Sequence, residues 1–210
     1  MKSVIFDMDG VVSDTQTIQA KFESIVLKKY GINLEPDEIS KKYAGMAVED
    51  WFTKEFDKAN KSVDVEKAIE EKWKTLFKMS KGKIRPIEGI YDLLNHLKNN
   101  YFKLAIASAS RRQFIDLVIK ELKLEKIFDA LVSSTEVKKG KPAPDIFLLA
   151  ANKLEARPED CVVIEDGISG MEAAKKAGMK CIGLVNDKNG NFPADILVSS
   201  LSEIKIDYFK

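Results

Sequence analysis

VIFDMDGVVSD, residues 4–14, runs from three apolar residues suited to a strand into two aspartates one residue apart, Asp7 and Asp9, then Gly10, and finally Asp14. Carboxylates crowded where a buried strand ends are costly unless something offsets their charge. The same kind of boundary recurs along the chain. Short apolar runs lie at SVIF (3–6), KLAIA (103–107), ALVS (130–133), CVVI (161–164), CIGLV (181–185) and DILVS (195–199). Helical periodicity separates them: Ile90/Leu93/Leu94/Leu97, Phe114/Val118/Leu122, Ile146/Leu149/Ala150, and Met171/Ala174/Ala177 closed by Gly178. Strands alternating with helices predict a parallel sheet with crossover helices, and ligands in such a sheet sit at the carboxyl ends of the strands.

From about residue 15 to residue 82 no strand-like run appears. Ile18/Phe22/Ile25/Val26 form one apolar face ending at Tyr30-Gly31, Pro36 opens a second helix that stops near Gly45, and Glu49-Asp50-Trp51-Phe52 sits in a third. Val65/Ile69/Trp73/Leu76/Phe77 mark a fourth, and KGKIRPIEG, 81–89, is the return connection. The fold predicted is α/β: a Rossmann-like parallel sheet core, residues 1–14 and 83–210, with an inserted helical bundle cap over residues 15–82. Both tryptophans are expected in the core of the insert.

The 210 residues carry 34 Lys+Arg against 33 Asp+Glu, a formal charge of +1. No global field therefore draws the molecule to nucleic acid or an anionic membrane, and any bound anion must be held locally. The apolar stretch in MKSVIFDMDG is too short for a signal peptide, and no run of roughly 18 apolar residues occurs, so a cytoplasmic location is the expectation. Cys161 and Cys181 lack the close spacing of a zinc or redox pair and are expected as buried free thiols. His96, the one histidine, lies off its helix's apolar face and is expected at the surface. Nothing specifies an oligomer, and a monomer is compatible with the sequence.

Four polar features fall at strand ends: Asp7, Asp9 and Gly10 after SVIF; Ser108, Ala109 and Ser110 after KLAIA; Lys141 in KKGKPAPD beyond ALVSS; Glu165, Asp166 and Gly167 after CVVI. Each alone has an ordinary explanation: a solvated turn, a rigid loop before a helix, a helix cap. Parallel strands bring all four to one edge. Two unit charges ~4 Å apart repel by about 1 kcal/mol in water and about 4 kcal/mol at an effective dielectric of about 20. Asp7, Asp9, Glu165 and Asp166 together thus call for a cation, and oxygen-only ligands favour Mg2+. Ser108, the backbone amides after it, and Lys141 supply hydrogen bonds and positive charge for phosphate oxygens.

FDMDGVVSDT, IASAS, KGKPAPDIF and VIEDGISGMEAAKKAGM, in that order, resemble the motifs of the haloacid dehalogenase superfamily. Within it they are similar to the branch of small phosphatases and β-phosphoglucomutase with a helical cap inserted after the first motif. The resemblance covers nearly the whole chain. It implies that Asp7 is the nucleophile, Asp9 the general acid and base, Ser108 and Lys141 the phosphate anchors, and Asp166 a Mg2+ ligand assisted by Glu165. Asp7 and Asp9 are counted with the metal site as well. Family dehalogenases lack an aspartate at the Asp9 position, which points away from dehalogenation. Val48 stands where the sugar-phosphate mutases carry arginine and phosphonoacetaldehyde hydrolases a Schiff-base lysine, and Gln19 where relatives carry histidine. The expectation is hydrolysis of a monoester of a small phosphorylated, sugar-phosphate-like metabolite. Ala109, Ser110, Gln16, Gln19, Gly45, Met46 and Val48 are the expected substrate contacts. A β-phosphoglucomutase-like phosphomutase is the alternative, and a receiver-like phosphate-accepting regulatory module is the reading from a different class.

Overall fold

Six parallel strands form one sheet in the order β3-β2-β1-β4-β5-β6. They are β1 (Ser3–Phe6), β2 (Lys103–Ser108), β3 (Ala130–Ser133), β4 (Cys161–Glu165), β5 (Lys180–Leu184) and β6 (Ile196–Val198). The computed structural model describes residues 2–61 and 63–209. Each strand coincides to within a residue or two with an apolar run of the sequence.

The two-residue period of a strand sends successive side chains to opposite faces, and here both faces are covered. Val4, Phe6, Leu104, Ile106, Val162 and Ile164 pack with Leu93, Leu94 and Phe114. Those three belong to α5 (Ile90–Asn99) and α6 (Arg112–Glu121). Ile5, Ala105, Ala107, Val163 and both cysteines face the other way, towards Phe147, Ala150, Met171 and Ala174. Those lie on α7 (Asp145–Lys153) and α8 (Ile168–Lys176). Double coverage is why the strands read as continuous apolar runs rather than alternating ones. Cys161 and Cys181 are buried free thiols, and His96 is exposed.

Strand order decides where a site can form. From β1 the chain winds one way through β2 and β3, and the other way through β4, β5 and β6. The crevice at such a reversal, outside the carboxyl ends of β1 and β4, is where open α/β sheets bind ligands. Asp7 and Asp9 follow β1, and Glu165 and Asp166 close β4 and follow it.

Between β1 and α5 come four consecutive helices: α1 (Gln16–Lys29), α2 (Pro36–Tyr43), α3 (Val48–Lys58) and α4 (Val65–Ser80). Pro36 occupies the first position of α2, and the Asp64 side chain caps α4 by accepting from the backbone N–H of Lys67 at 3.0 Å. Val26, Phe52, Phe56, Ile69 and Leu76 form the interior of this bundle. Ile25, expected on the apolar face of α1, is half-exposed, and Glu23 takes a buried place on that helix instead. The two connections to the sheet pair with each other: Asp14 N–H donates to Arg85 O at 2.9 Å, and Ile87 N–H to Val12 O at 3.1 Å. Among the described residues no helix is long and apolar enough to cross a membrane.

Candidate active site

Asp7 is buried at the end of β1, where its backbone N–H donates to Ile164 O of β4 at 2.9 Å. Its Oδ1 accepts from Lys141 Nζ at 2.5 Å, and the same ammonium donates to Glu165 Oε2 at 2.7 Å. Lys141, Asp7 and Glu165 are all essentially without solvent contact. Burial and the Glu165 charge push the Asp7 carboxyl up to about 8, against the pull of Lys141. Asp166 is likewise raised well above the ordinary carboxylate range, chiefly by burial and then by Glu165 and Asp7.

Ligand atoms of Asp7, Glu165 and Asp166 lie within 4.8 Å of one another. One observation tests whether this group suits a cation. Oδ1 of Asp166 is buried and has no hydrogen-bond partner among the described residues, while Oδ2 accepts from Gln16 Nε2 at 2.8 Å. A buried unpartnered carboxylate oxygen beside two further carboxylates fits a hard divalent ion such as Mg2+. The oxygens of Glu165 also hold donors: Lys141 on one, and the N–H groups of Asp166 and Gly167 at 3.2 and 3.0 Å on the other. Two glycines make room for these carboxylates. A Cβ on Gly10, whose φ is +97°, would come 2.2 Å from Asp166 Oδ2, and one on Gly170 would come 2.0 Å from Glu165 Oε2.

Asp9, grouped with the other acids in the sequence, turns its carboxylate elsewhere. Oδ1 accepts from Thr15 and from Gln19 Nε2 (2.6 Å), and Oδ2 from Ser108 Oγ (3.1 Å) and Ser110 Oγ (2.9 Å). These donors draw the side chain away from the Asp7–Glu165–Asp166 group. Ser108 also accepts from the Ser110 backbone N–H at 3.0 Å, which folds the loop after β2 back towards Asp9.

A cavity of about 50 Å3 lies between the sheet edge and α1–α4. Asp7, Asp9, Ala109 and Ser110 line it from the sheet side, and Gln16, Gln19, Gly45, Met46 and Val48 from the helical side. The structure therefore brings Asp7, Asp9, Ala109 and Ser110 and the helical residues around one space, whereas Ser108, Lys141, Glu165 and Asp166 stand behind its wall and do not line it. Ser169 Oγ donates to Ala44 O at 2.8 Å, holding the turn before α3 against the N-terminal end of α8.

Several lining residues had no signal in the sequence. Lys72, in the run EEKWK, looks like a solvated lysine, yet it is 1% exposed. Glu23 lines the cavity beside it, and Trp73 and Trp51 line the cavity as well as filling the helical core. The adjacency of Lys72 to Trp73 was the only available hint, because nothing local records what α4 packs against.

Residues 4–184 match the family described as haloacid dehalogenase-like hydrolase. A phosphorylated carbohydrates phosphatase of Thermotoga maritima is 32% identical over 193 residues, 90% of this chain and 88% of that protein. A β-phosphoglucomutase of Bacillus subtilis is 31% identical over 216 residues, 99% of this chain and 93% of that protein. Among solved structures, CbbY of Rhodobacter sphaeroides in complex with phosphate superposes with a TM-score of 0.86 at 23% identity, covering 100% of this chain and 99% of that one. At that identity the superposition speaks for the fold.

Proposed function

The chain belongs to the haloacid dehalogenase-like hydrolase family, in the branch of phosphatases and β-phosphoglucomutase, and on that premise we propose that it hydrolyses a phosphoric monoester of a small sugar-phosphate-like metabolite through an aspartyl-phosphate on Asp7. The observation that carries the reading is the division of labour between two neighbouring aspartates. Asp7 is buried and gripped by Lys141, whereas Asp9 is held by four side-chain donors beside the cavity.

In this reading a carboxylate oxygen of Asp7 forms a bond to phosphorus as the bond from phosphorus to the leaving oxygen breaks. Asp9 gives its proton to the departing alkoxide. It then takes a proton from water, which attacks phosphorus, releases inorganic phosphate and restores the Asp7 carboxylate. Lys141 offsets charge on the phosphoryl oxygens, held in place by Glu165. Ser108 and the loop through Ala109 and Ser110 orient the phosphate. Asp7 and Asp166 would hold Mg2+, with Glu165 adjoining, and a bound Mg2+ supplies positive charge to the phosphoryl group.

Residues 15–82 act as the cap and 1–14 with 83–210 as the core. The cavity has room for a few water molecules rather than a sugar, so in this reading α1–α4 draw back from the sheet edge to admit substrate. Val48 gives the cavity an apolar wall, which favours hydrolysis over the retention of a bisphosphate that a mutase needs.

Phosphate release from a panel of monoesters with Mg2+, followed by intact mass after rapid quenching, tests the proposal. Asp7→Asn should abolish turnover with the fold retained, and Asp9→Asn should accumulate phosphoenzyme. Substantial Mg2+-dependent turnover by Asp7→Asn contradicts the assigned nucleophile. Interconversion of hexose phosphates without release of free phosphate would favour the mutase.

A further inference from the structure

On the helical side of the cavity lies a second buried ammonium. Lys72 Nζ donates to Gln19 Oε1 at 2.8 Å, stands 3.2 Å from Glu23 Oε1, and sits 3.7 Å above the ring centre of Trp73. Gln19 in turn donates to Asp9 at 2.6 Å. A continuous line of contacts thus runs from Glu23 through Lys72 and Gln19 to Asp9. The chemistry proposed above does not use Glu23, although it is buried and lines the same cavity.

A buried lysine alone at this place would be an anion subsite, ready to take a second phosphate beyond the one being transferred. Glu23 cancels that charge. What remains is neutral overall and rich in both kinds of hydrogen-bonding group. Lys72 is a donor and the Glu23 carboxylate an acceptor, and both residues line the cavity. Hydroxyl groups both donate and accept, so a polyhydroxylated leaving group matches this subsite. A phosphate offers only acceptors at neutral pH and would bring its negative charge against Glu23, a repulsion of the kind that rejects wrong partners.

We propose that Glu23 is a specificity-determining residue: by pairing with Lys72 it restricts the cavity to monophosphates of polyhydroxylated compounds and excludes their bisphosphates. This inference rests on the phosphatase reading and names its substrate class.

The test measures kcat/KM for glucose, fructose, pentose and polyol monophosphates, each against its matching bisphosphate, with Mg2+ in mildly alkaline buffer. The wild-type protein should prefer the monophosphate by at least about tenfold. Glu23→Gln, nearly the same shape, leaves Lys72 unopposed and should narrow that preference by about tenfold, while Lys72→Met leaves Glu23 unopposed and should widen it. Thermal melting establishes that each variant is folded, and should one not fold, the other and the wild-type ratio decide. Opposite shifts in the two variants support the proposal. Wild-type parity between mono- and bisphosphates, or ratios that do not move in folded variants, overturn it while leaving the phosphatase reading intact. Absence of turnover on every monoester removes both.

Discussion

Gln16, the first residue of α1, donates from Nε2 to Oδ2 of Asp166 across 2.8 Å, tying the helical insertion to the loop after β4. The bond fixes one carboxylate oxygen and leaves the other, Oδ1, buried and unpartnered. Partners that orient a metal-binding carboxylate matter to affinity. Gln16→Leu should therefore weaken Mg2+ binding about tenfold, measured by titration calorimetry without substrate. An unchanged dissociation constant would show that the bond serves only to dock α1.

The raised carboxyl of Asp7 links Mg2+ to pH. Its value of about 8 in the folded protein, against 3.8 ordinarily, means that Asp7 holds a proton well into the neutral range. Its contribution to stability is complete below about pH 4 and is lost as pH rises through about 8, because the unfolded chain ionises more readily. A bound cation reverses this by favouring the carboxylate. The rise in melting temperature on adding Mg2+ should therefore grow between about pH 6 and about pH 8, accompanied by release of protons on binding. A shift that is flat across that window would contradict the assignment.

Lys141 is a buried cation shared by the carboxyl groups of Asp7 and Glu165. Lys141→Met leaves Asp7 and Glu165 without it, and removing one partner from a buried charge group costs about 3–5 kcal/mol. Denaturant unfolding in the absence of Mg2+ should show a loss of that order, partly recovered when Mg2+ is added. Turnover should vanish. A variant as stable as the wild type would mean that Lys141 does not pair with these buried acids in solution.

Burial, with help from Asp160 and Glu159, pushes the Cys161 thiol up to about 11, and burial raises Cys181 further. Both remain protonated through neutrality, and neither side chain meets solvent. A thiol-disulfide reagent in mildly alkaline buffer should find no reactive thiol in the native protein and two after denaturation. Rapid reaction in the native state would show that the strands bearing them open locally.

The sheet was readable because its inner strands are buried on both faces and so spell unbroken apolar runs, and the acidic edge was readable because Asp7, Asp9, Glu165 and Asp166 lie directly at the ends of those runs. Asp7, Lys141, Glu165 and Asp166 meet because the ends of β1 and β4 adjoin and the loop beyond β3 reaches them. The helical side of the site was not readable in the same way. Lys72 lies among glutamates and lysines that do face water, and only the packing of α4 on α1 turns it inward. Asp9 shows the converse limit. Its position was plain, but the direction of its carboxylate depends on Thr15, Gln19, Ser108 and Ser110, two of which lie about a hundred residues away. Ile25 had the right spacing for burial and is half-exposed, because the bundle buries a different stripe of α1.

The paired connections at Val12–Asp14 and Arg85–Ile87 set the kind of movement open to the four helices. Two strands cross-linked by backbone hydrogen bonds behave as a strap that flexes across its width and resists torsion. On the proposal that the bundle draws back to admit substrate, such a strap would guide it along one axis and bring Gln19 and Lys72 back to the same register over the sheet. A return path fixed in this way would leave little orientational freedom to surrender, and the Ser169–Ala44 hydrogen bond lies where the closed arrangement would be fastened.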